Sequence, residues 1–396
     1  MLLLGKLLGD FVTRLGFSPL IGQMLAGILL GPMCLNAMAI SPDMVHELEL
    51  LTGLGIIFMM FVMGLSIDFE KVMGESVYAA ALLSFVGGTV TFASTAVITA
   101  LLGFSINQSL LVGISFISTS TAIGYMVLTS FGDRHSKVFK MIMAVGISDD
   151  IYAILALALF TMYLQQGVDI RSAFSLFLLV LGFIILVLGL GRSITDRLID
   201  YSRKSPDEQS IISISLIILF LVSFLSQSVG IASVTGAFLA GTILARSPLS
   251  YKVITPKIEA VSEGLFVPLF FVYTGMRINI FEMLASERVD LMISSIPIDV
   301  VLFFGLIMAV MASKYFSTYI SGKIIGGYRD TELHKISLTM MPMGEYTLVI
   351  GQLGLVWLII DTQIYSVLAV VVLILSIISP IMIRNAYLGG TAVKQR

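Results

Sequence analysis

The sequence predicts an all-α membrane protein of about thirteen transmembrane helices, with an inverted-topology repeat and two broken helices. Three observations predict it. The chain is 57% hydrophobic and 12% charged, with a mean hydropathy of +1.02; a soluble domain carries about twice that charge. Its apolar runs are separated by charged or turn-rich breaks at the spacing of membrane helices. Two later runs repeat the wording of two earlier ones. A single cysteine, Cys34, excludes a disulfide framework and a cysteine-rich metal site, and three scattered histidines leave no histidine metal cluster. No resident cofactor and no nucleic-acid partner are expected. Met1 to Gly16 holds Lys6, Asp10 and Arg14 with no small-residue cleavage site after it, so it does not read as a cleavable signal peptide.

In chain order the spans fall near 2–16, 18–31, 49–66, 76–101, 107–130, 138–163, 172–190, 209–228, 231–245, 259–275, 294–321, 333–353 and 362–383. The first two and the ninth are short, so they tilt, thin the bilayer or pack inside. With the N-terminus outside and the C-terminus in the cytoplasm, eighteen of the 23 lysines and arginines lie on the inner side. Four lie on the outer side, and Lys314 is left inside a span. Such a bias orients a multi-pass protein of a cell membrane.

The second span reads Leu25-Ala26-Gly27-Ile28-Leu29-Leu30 and the ninth Leu239-Ala240-Gly241-Thr242-Ile243-Leu244. The third ends Gly64-Leu65-Ser66-Ile67-Asp68 and the tenth Gly275-Met276-Arg277-Ile278-Asn279. Seven spans, an odd number, separate each pair, so the two units run oppositely through the membrane. Secondary transporters recurrently use this design. The repeat pairs span 5 with span 12. Span 5 carries Ser118-Thr119-Ser120-Thr121, hydroxyls able to take over backbone hydrogen bonds where a helix is broken. Span 12 carries Pro342, Met343 and Gly344, where the missing proline N–H and the glycine break the helix. Interrupted helices at corresponding positions point to a transporter's binding site.

Charges deep in the apolar runs complete the pattern. Asp149 and Asp150 follow Lys140 by about ten residues, roughly 15 Å along a helix, half of a bilayer's hydrocarbon core. Lys314 and Glu345 lie at similar depth on two other spans. Ionisable groups there mark an ion or proton path with a partner elsewhere. Adjacent helical positions diverge by about 100°, so one aspartate is expected to pair with Lys314 and the other to face a water-filled cavity. Glu345 is expected to support the second break. Asp10, Gln23 and Asp299 receive no assignment.

Together these residues resemble the cation:proton antiporters of the Kef and Nap type, in the monovalent cation:proton antiporter superfamily. The matching pieces are Leu25 to Pro32, Phe61 to Gly64, Thr119-Ser120-Thr121-Ala122, Ser148-Asp149-Asp150, Gly236 to Gly241, Lys314 and Gly344-Glu345. The resemblance implies a dimerisation domain (about 1–74 with 209–285) and a six-helix core domain (about 75–163 with 294–384), joined by a linker helix at 172–190, in a homodimer. It implies that Asp150 carries the cation or protons, that Asp149 pairs with Lys314, and that the broken helices cross beside them. Two features depart from the family pattern. Met343 stands where several members place arginine or glutamine, and Asp149 where some Kef-type members have glutamine. No nucleotide-binding regulatory domain follows in this chain, so gating by one is not expected.

The expected function is secondary active antiport: Na⁺ or K⁺ exchanged for protons by alternating access, with Asp150 as the shared site and also the transported metal's ligand. A cation symporter on the same architecture is the nearest rival. A channel would need a filter of carbonyls or repeated acidic rings, and the sequence shows neither. An intramembrane aspartyl protease places its two acids on different helices, whereas Asp149 and Asp150 are adjacent on one.

Overall fold

The computed structural model describes residues 1–35, 42–66, 77–131, 136–166, 209–247, 250–291 and 294–392, with isolated residues between 178 and 197. The expected linker helix at 172–190 lies mostly outside the described residues. The helices are α1 (Leu2–Arg14), α2 (Pro19–Leu30), α3 (Pro42–Leu65), α4 (Val77–Leu101), α5 (Ile106–Ser115), α6 (Thr121–Ser130) and α7 (Lys137–Gln166). After these come α8 (Gln209–Ser228), α9 (Ser233–Ala245), α10 (Thr255–Val261), α11 (Val267–Met276) and α12 (Ile280–Ala285). The last are α13 (Ile298–Ile325), α14 (Asp330–Thr339), α15 (Glu345–Val356) and α16 (Thr362–Ala392). Among the described residues seven helices are long and apolar enough to cross a membrane, and four further apolar helices are shorter. Two of the shorter ones, α6 and α15, are the second halves of the broken spans.

Among the boundaries that differ from expectation, two fall at prolines. Residues 294–297, expected to open span 11, form a strand. β1 (Arg288–Leu291) and β2 (Ser294–Pro297) pair antiparallel in register Arg288↔Pro297, and α13 starts only at Ile298. Pro297 holds the preceding residue extended and sits as the N-cap of α13, where its missing N–H costs nothing. Span 10, expected to begin at 259, is helical from Ser250 and carries two π-helical turns, Ser250–Ile254 and Ser262–Phe266. Each turn closes two residues before a proline, Pro256 and Pro268. A wider turn is one way a helix accommodates a residue with no N–H to donate.

The chain divides into two compact units. The first comprises Met1–Pro42, Lys71–Ala153 and Phe271–Arg396; the second comprises Asp43–Glu70 and Ile154–Phe270. In the first, an apolar core gathers Leu83 of α4, Leu128 of α6, Met141 and Val145 of α7, Ile336 of α14 and Ile383 of α16. Between membrane helices such contacts contribute close van der Waals packing and not removal from water, and here they hold the broken helices to their neighbours. The glycines of the sequence repeat mark the closest approaches. In the first unit Gly27 of α2 lies against Gly275 of α11, and a Cβ on either would meet the other's Cα. In the second unit Gly241 of α9 lies in the same way against Gly64 of α3. Each crossing therefore joins one member of each repeated pair.

Candidate functional site

Span 5 ends as a helix at Ser115 and resumes at Thr121; span 12 ends at Thr339 and resumes at Glu345. One displacement along the chain relates the starts (Ile106 to Asp330), the breaks (Ser115 to Thr339) and the restarts (Thr121 to Glu345). Both breaks are five residues long. They meet: the Ser120 N–H donates to the Pro342 carbonyl at 2.8 Å, and a Cβ on Gly344 would lie 2.8 Å from that of Ser120. Thr347 of α15 donates to the Ser115 carbonyl at 2.8 Å, and Ser376 of α16 to the Met343 carbonyl at 3.2 Å.

Helix α7 passes beside this crossing, with Asp149 and Asp150 on adjacent, divergent positions. Lys314 of α13 reaches Asp149: its Nζ lies 2.9 Å from Asp149 Oδ2. The ammonium also donates to Thr119 Oγ1 at 2.9 Å and to the Ile117 carbonyl. All three of its donors are thus used. Thr119 Oγ1 in turn donates to Asp149 Oδ2 at 2.6 Å and lies 3.3 Å from the Met340 carbonyl. Asp149 and Lys314 are each 1% exposed, so the pair is shut off from solvent. Asp149 Oδ1 has no hydrogen-bond partner among the described residues.

Asp150 has a different setting. It is half-buried, and its Oδ1 accepts from the Ser118 hydroxyl at 2.6 Å. No ion pair reaches it among the described residues. Glu345 is half-buried as the first residue of α15, where its charge suits a helix N-terminus. It makes no ion pair with Lys314 among the described residues. The structure thus brings Asp149, Lys314 and Thr119 into one triangle and Asp150 and Ser118 into another contact. Ser120 and Gly344 lie at the meeting point of the breaks, Pro342 supplies its carbonyl there, and Thr121 packs its methyl against Gly146.

The hydroxyls of span 5 do more than the sequence suggested. Thr119 Oγ1 meets the Met340 carbonyl of the other break, and the Ser118 and Thr119 hydroxyls also donate to the two carboxylates. Sequence reasoning also missed the Ile117 carbonyl, Thr347 and Ser376. Nothing distinguishes Thr347 or Ser376 in the sequence from a membrane-helix hydroxyl bonded to its own helix, as Thr91 and Thr95 are. The unassigned residues are now placed. Asp10 pairs with Lys6 on the exposed side of α1. Gln23 and Asp299 are buried, each with one side-chain oxygen unpartnered among the described residues.

A helical membrane protein with two broken helices meeting beside buried charges belongs to the class of secondary transporters. Comparison with known proteins gives the family. Residues 1–386 match the family described as sodium/hydrogen exchanger, transmembrane, and the chain belongs to that family. The Na⁺/H⁺-K⁺ antiporter GerN of Bacillus cereus is 26% identical over 98% of this chain and 94% of its own length. The probable Na⁺/H⁺ antiporter GerT of the same organism is 27% identical, over 89% of this chain and 88% of its own. The glutathione-regulated potassium-efflux protein KefC of Salmonella arizonae is 29% identical over 69% of this chain and 43% of its own. In fold, the chain is similar to the sodium proton antiporter MjNhaP1 of Methanocaldococcus jannaschii, with a TM-score of 0.70, 16% identity and coverage of 98% and 95% of the two chains.

Proposed function

We propose that this chain exchanges Na⁺ or K⁺ for protons by alternating access, with Asp150 as the carboxylate that holds either the cation or the proton. The observation that carries the proposal is the unequal treatment of two adjacent acids. Asp149 is neutralised by Lys314 inside the protein. Asp150 has only the neutral Ser118 hydroxyl. A carboxylate without a fixed counter-ion in a low-dielectric site must take a mobile one, and a monovalent cation or a proton serves equally. Competition for one site then couples the two fluxes. Thr119 and Lys314 position Asp149 beside the crossing, and the helix ends there offset charge at membrane depth.

The same reading places the N-terminus outside and the C-terminus in the cytoplasm of a cell membrane. It places the exchanger in a homodimer, with a dimerisation domain and a moving core. GerN and GerT support cation:proton exchange, and GerN and KefC make K⁺ a candidate beside Na⁺.

Proton movement in proteoliposomes holding a pH gradient tests the proposal, with Na⁺, K⁺ and Li⁺ added in turn and Asp150→Asn as control. Cation-triggered proton release lost in Asp150→Asn is the expected result. Normal exchange in that variant would rule out Asp150 as the shared site. Cation flux without proton movement in the wild type would point to a symporter or channel.

A further inference from the structure

Helix α4 carries no charged residue, and none of its residues belongs to the site described above. Yet three residues in one turn at its middle, Gly88, Thr89 and Thr91, touch every element that holds the Asp149–Lys314 pair. Thr91 meets α13: the hydroxyl of Ser313, the residue before Lys314, donates to Thr91 Oγ1 at 3.0 Å. Thr91 is fully buried and gives its own proton to the Gly87 carbonyl at 2.8 Å, which leaves a lone pair to accept. Thr89 meets α7: its hydroxyl lies 2.9 Å from that of Tyr152, three residues past Asp149. Gly88 meets both α7 and the first break. A Cβ there would lie 2.7 Å from the Tyr152 ring and 3.1 Å from Ile117 Cγ2, and the Ile117 carbonyl accepts from Lys314.

These contacts fix what packing alone leaves open in a long helix, its rotation and its register. Helices α4 and α13 lie antiparallel against each other. A Cβ on Gly322 would lie 3.8 Å from Leu83, one on Gly87 3.6 Å from Ser317 Oγ, and one on Gly305 3.1 Å from Ile98. Small residues let membrane helices approach this closely, and hydroxyls hydrogen-bond between them. Packing sets the separation, whereas a directional bond also selects one rotation. Among the described residues the Ser313–Thr91 bond is the one side-chain hydrogen bond between α4 and α13. With Ser313 held on α4, Lys314 is carried about 100° further round α13, where it meets Asp149 and Thr119. On α7, Asp149 and Tyr152 are three apart and share a face, so holding Tyr152 holds Asp149.

We propose that Thr91 and Thr89 are positioning residues for the buried ion pair, Thr91 placing Lys314 through Ser313 and Thr89 placing Asp149 through Tyr152. One uncharged helix thereby sets both partners. Neither threonine forms a hydrogen bond to either charge among the described residues. The consequence for transport rests on the pair belonging to the proposed exchange site; the positioning of the pair does not.

Thr91→Val keeps the shape and removes the acceptor. Ser313 retains the Val310 carbonyl, 3.3 Å away, so the direct loss is small. A double-mutant cycle on the purified protein isolates the action through the pair. Thr91→Val is expected to lower the melting temperature of the wild type at least about twice as far as that of Asp149→Leu with Lys314→Met, where no pair remains to be placed. Thr89→Val is expected to show the same inequality. Thr95→Val is the control: its hydroxyl bonds its own helix, so equal drops are expected in both backgrounds. In proteoliposomes Thr91→Val is expected to slow cation-triggered proton release about 5-fold, and Thr91→Ser, which keeps the hydroxyl, to restore it.

Equal drops for Thr91→Val in the two backgrounds, or none in either, would overturn the proposal, because the bond would then be an ordinary contact between helices. Failure to fold in both backgrounds would overturn it too, whereas folding only where the pair is absent would support it. Slowed exchange that Thr91→Ser does not restore would assign the effect to side-chain volume and overturn the role of the hydroxyl. Unequal drops with exchange unchanged would uphold the positioning and remove the pair from the exchange site, so the two readings fail separately.

Discussion

The two broken spans are alike in geometry and differ in side-chain chemistry. In the first, the break runs Phe116-Ile117-Ser118-Thr119-Ser120 and hands hydroxyl protons to acids on α7. In the second, it runs Met340-Met341-Pro342-Met343-Gly344 and offers only carbonyls, to Ser120, Thr119 and Ser376. Helix α7 supplies acceptors to the hydroxyls of the first break, while Lys314 of α13 donates to its Ile117 carbonyl; the helix beside the second supplies a donor, Ser376. Duplication of a scaffold therefore does not duplicate the site. The frame needs two breaks so that helix ends can converge at membrane depth. The chemistry needs one pair of acids and one lysine, and a second set would add buried charge at a cost of several kcal/mol per ion.

The largest expected effect tests the charged half. Lys314→Ala strands a 1%-exposed Asp149 carboxylate, and breaking a buried pair in this way costs about 3–5 kcal/mol. Denaturation of the purified protein measures it. Joint replacement, Asp149→Leu with Lys314→Met, is expected to recover most of the loss, since apolar groups of similar volume replace buried pairs at little cost. A single variant as stable as wild type would remove the pair from any account of stability.

Next in size is the meeting point itself. Ser120 and Gly344 are counterparts under the displacement that relates the two spans, and they touch. Gly344→Ala would put a Cβ 2.8 Å from that of Ser120, an overpacking worth about 1–3 kcal/mol. The reverse change, Ser120→Gly, removes atoms and costs under about 1 kcal/mol. Equal effects would mean that the crossing is looser than the Ser120–Pro342 hydrogen bond implies. Removing one hydroxyl from each half sharpens the contrast further. Thr119→Val is expected to cost about 1.5–3 kcal/mol, because its bonds are to charged groups, and Ser376→Ala about 0.5–1.5 kcal/mol. Comparable losses would erase the asymmetry.

Much of this frame was legible from residue types. Hydropathy read the spans that the described residues show. Pro342 with Gly344, and the run Ser118 to Thr121, read the breaks, because each lacks or competes for helical hydrogen bonds. Depth along the spans grouped Asp149, Asp150, Lys314 and Glu345, but spacing alone could not say that Lys314 turns to Asp149 and leaves Glu345 apart. That depends on the rotation of α13, which is set by packing. The hydroxyls' bonds to the carboxylates were not legible for a related reason: a sequence shows which donors exist, not which acceptors lie within reach across helices. The hairpin at 288–297 was hidden because Ser294 to Pro297 continues into an apolar run. Pro297 was the available sign.

The smallest expected effect lies at the far ends of the two half-helices, where the repeat again keeps geometry and changes chemistry. Helix α5 opens with a neutral box: Gln108 N–H donates to Ser105 Oγ at 3.3 Å, and Ser105 N–H to Gln108 Oε1 at 2.8 Å. The counterparts at α14 are Arg329 and Glu332. There the Arg329 N–H donates to Glu332 Oε2 at 2.8 Å and its guanidinium to Oε1 at 2.9 Å. An arginine cannot accept, so only the carboxylate arm of a box is formed. The side-chain and backbone hydrogen bonds from Arg329 hold the Glu332 carboxyl below the ordinary glutamate range. Its stabilisation is therefore fully present above the unfolded pKa of about 4.3 and is lost as pH falls through the lower folded value. With Arg329 79% exposed, Glu332→Gln is expected to cost under about 1 kcal/mol at pH 7. Hydrogen exchange should show protection falling in acid in the first turn of α14 and holding in the first turn of α5. Parallel loss in both would mean that the acid acts on the fold as a whole and not on the charged cap.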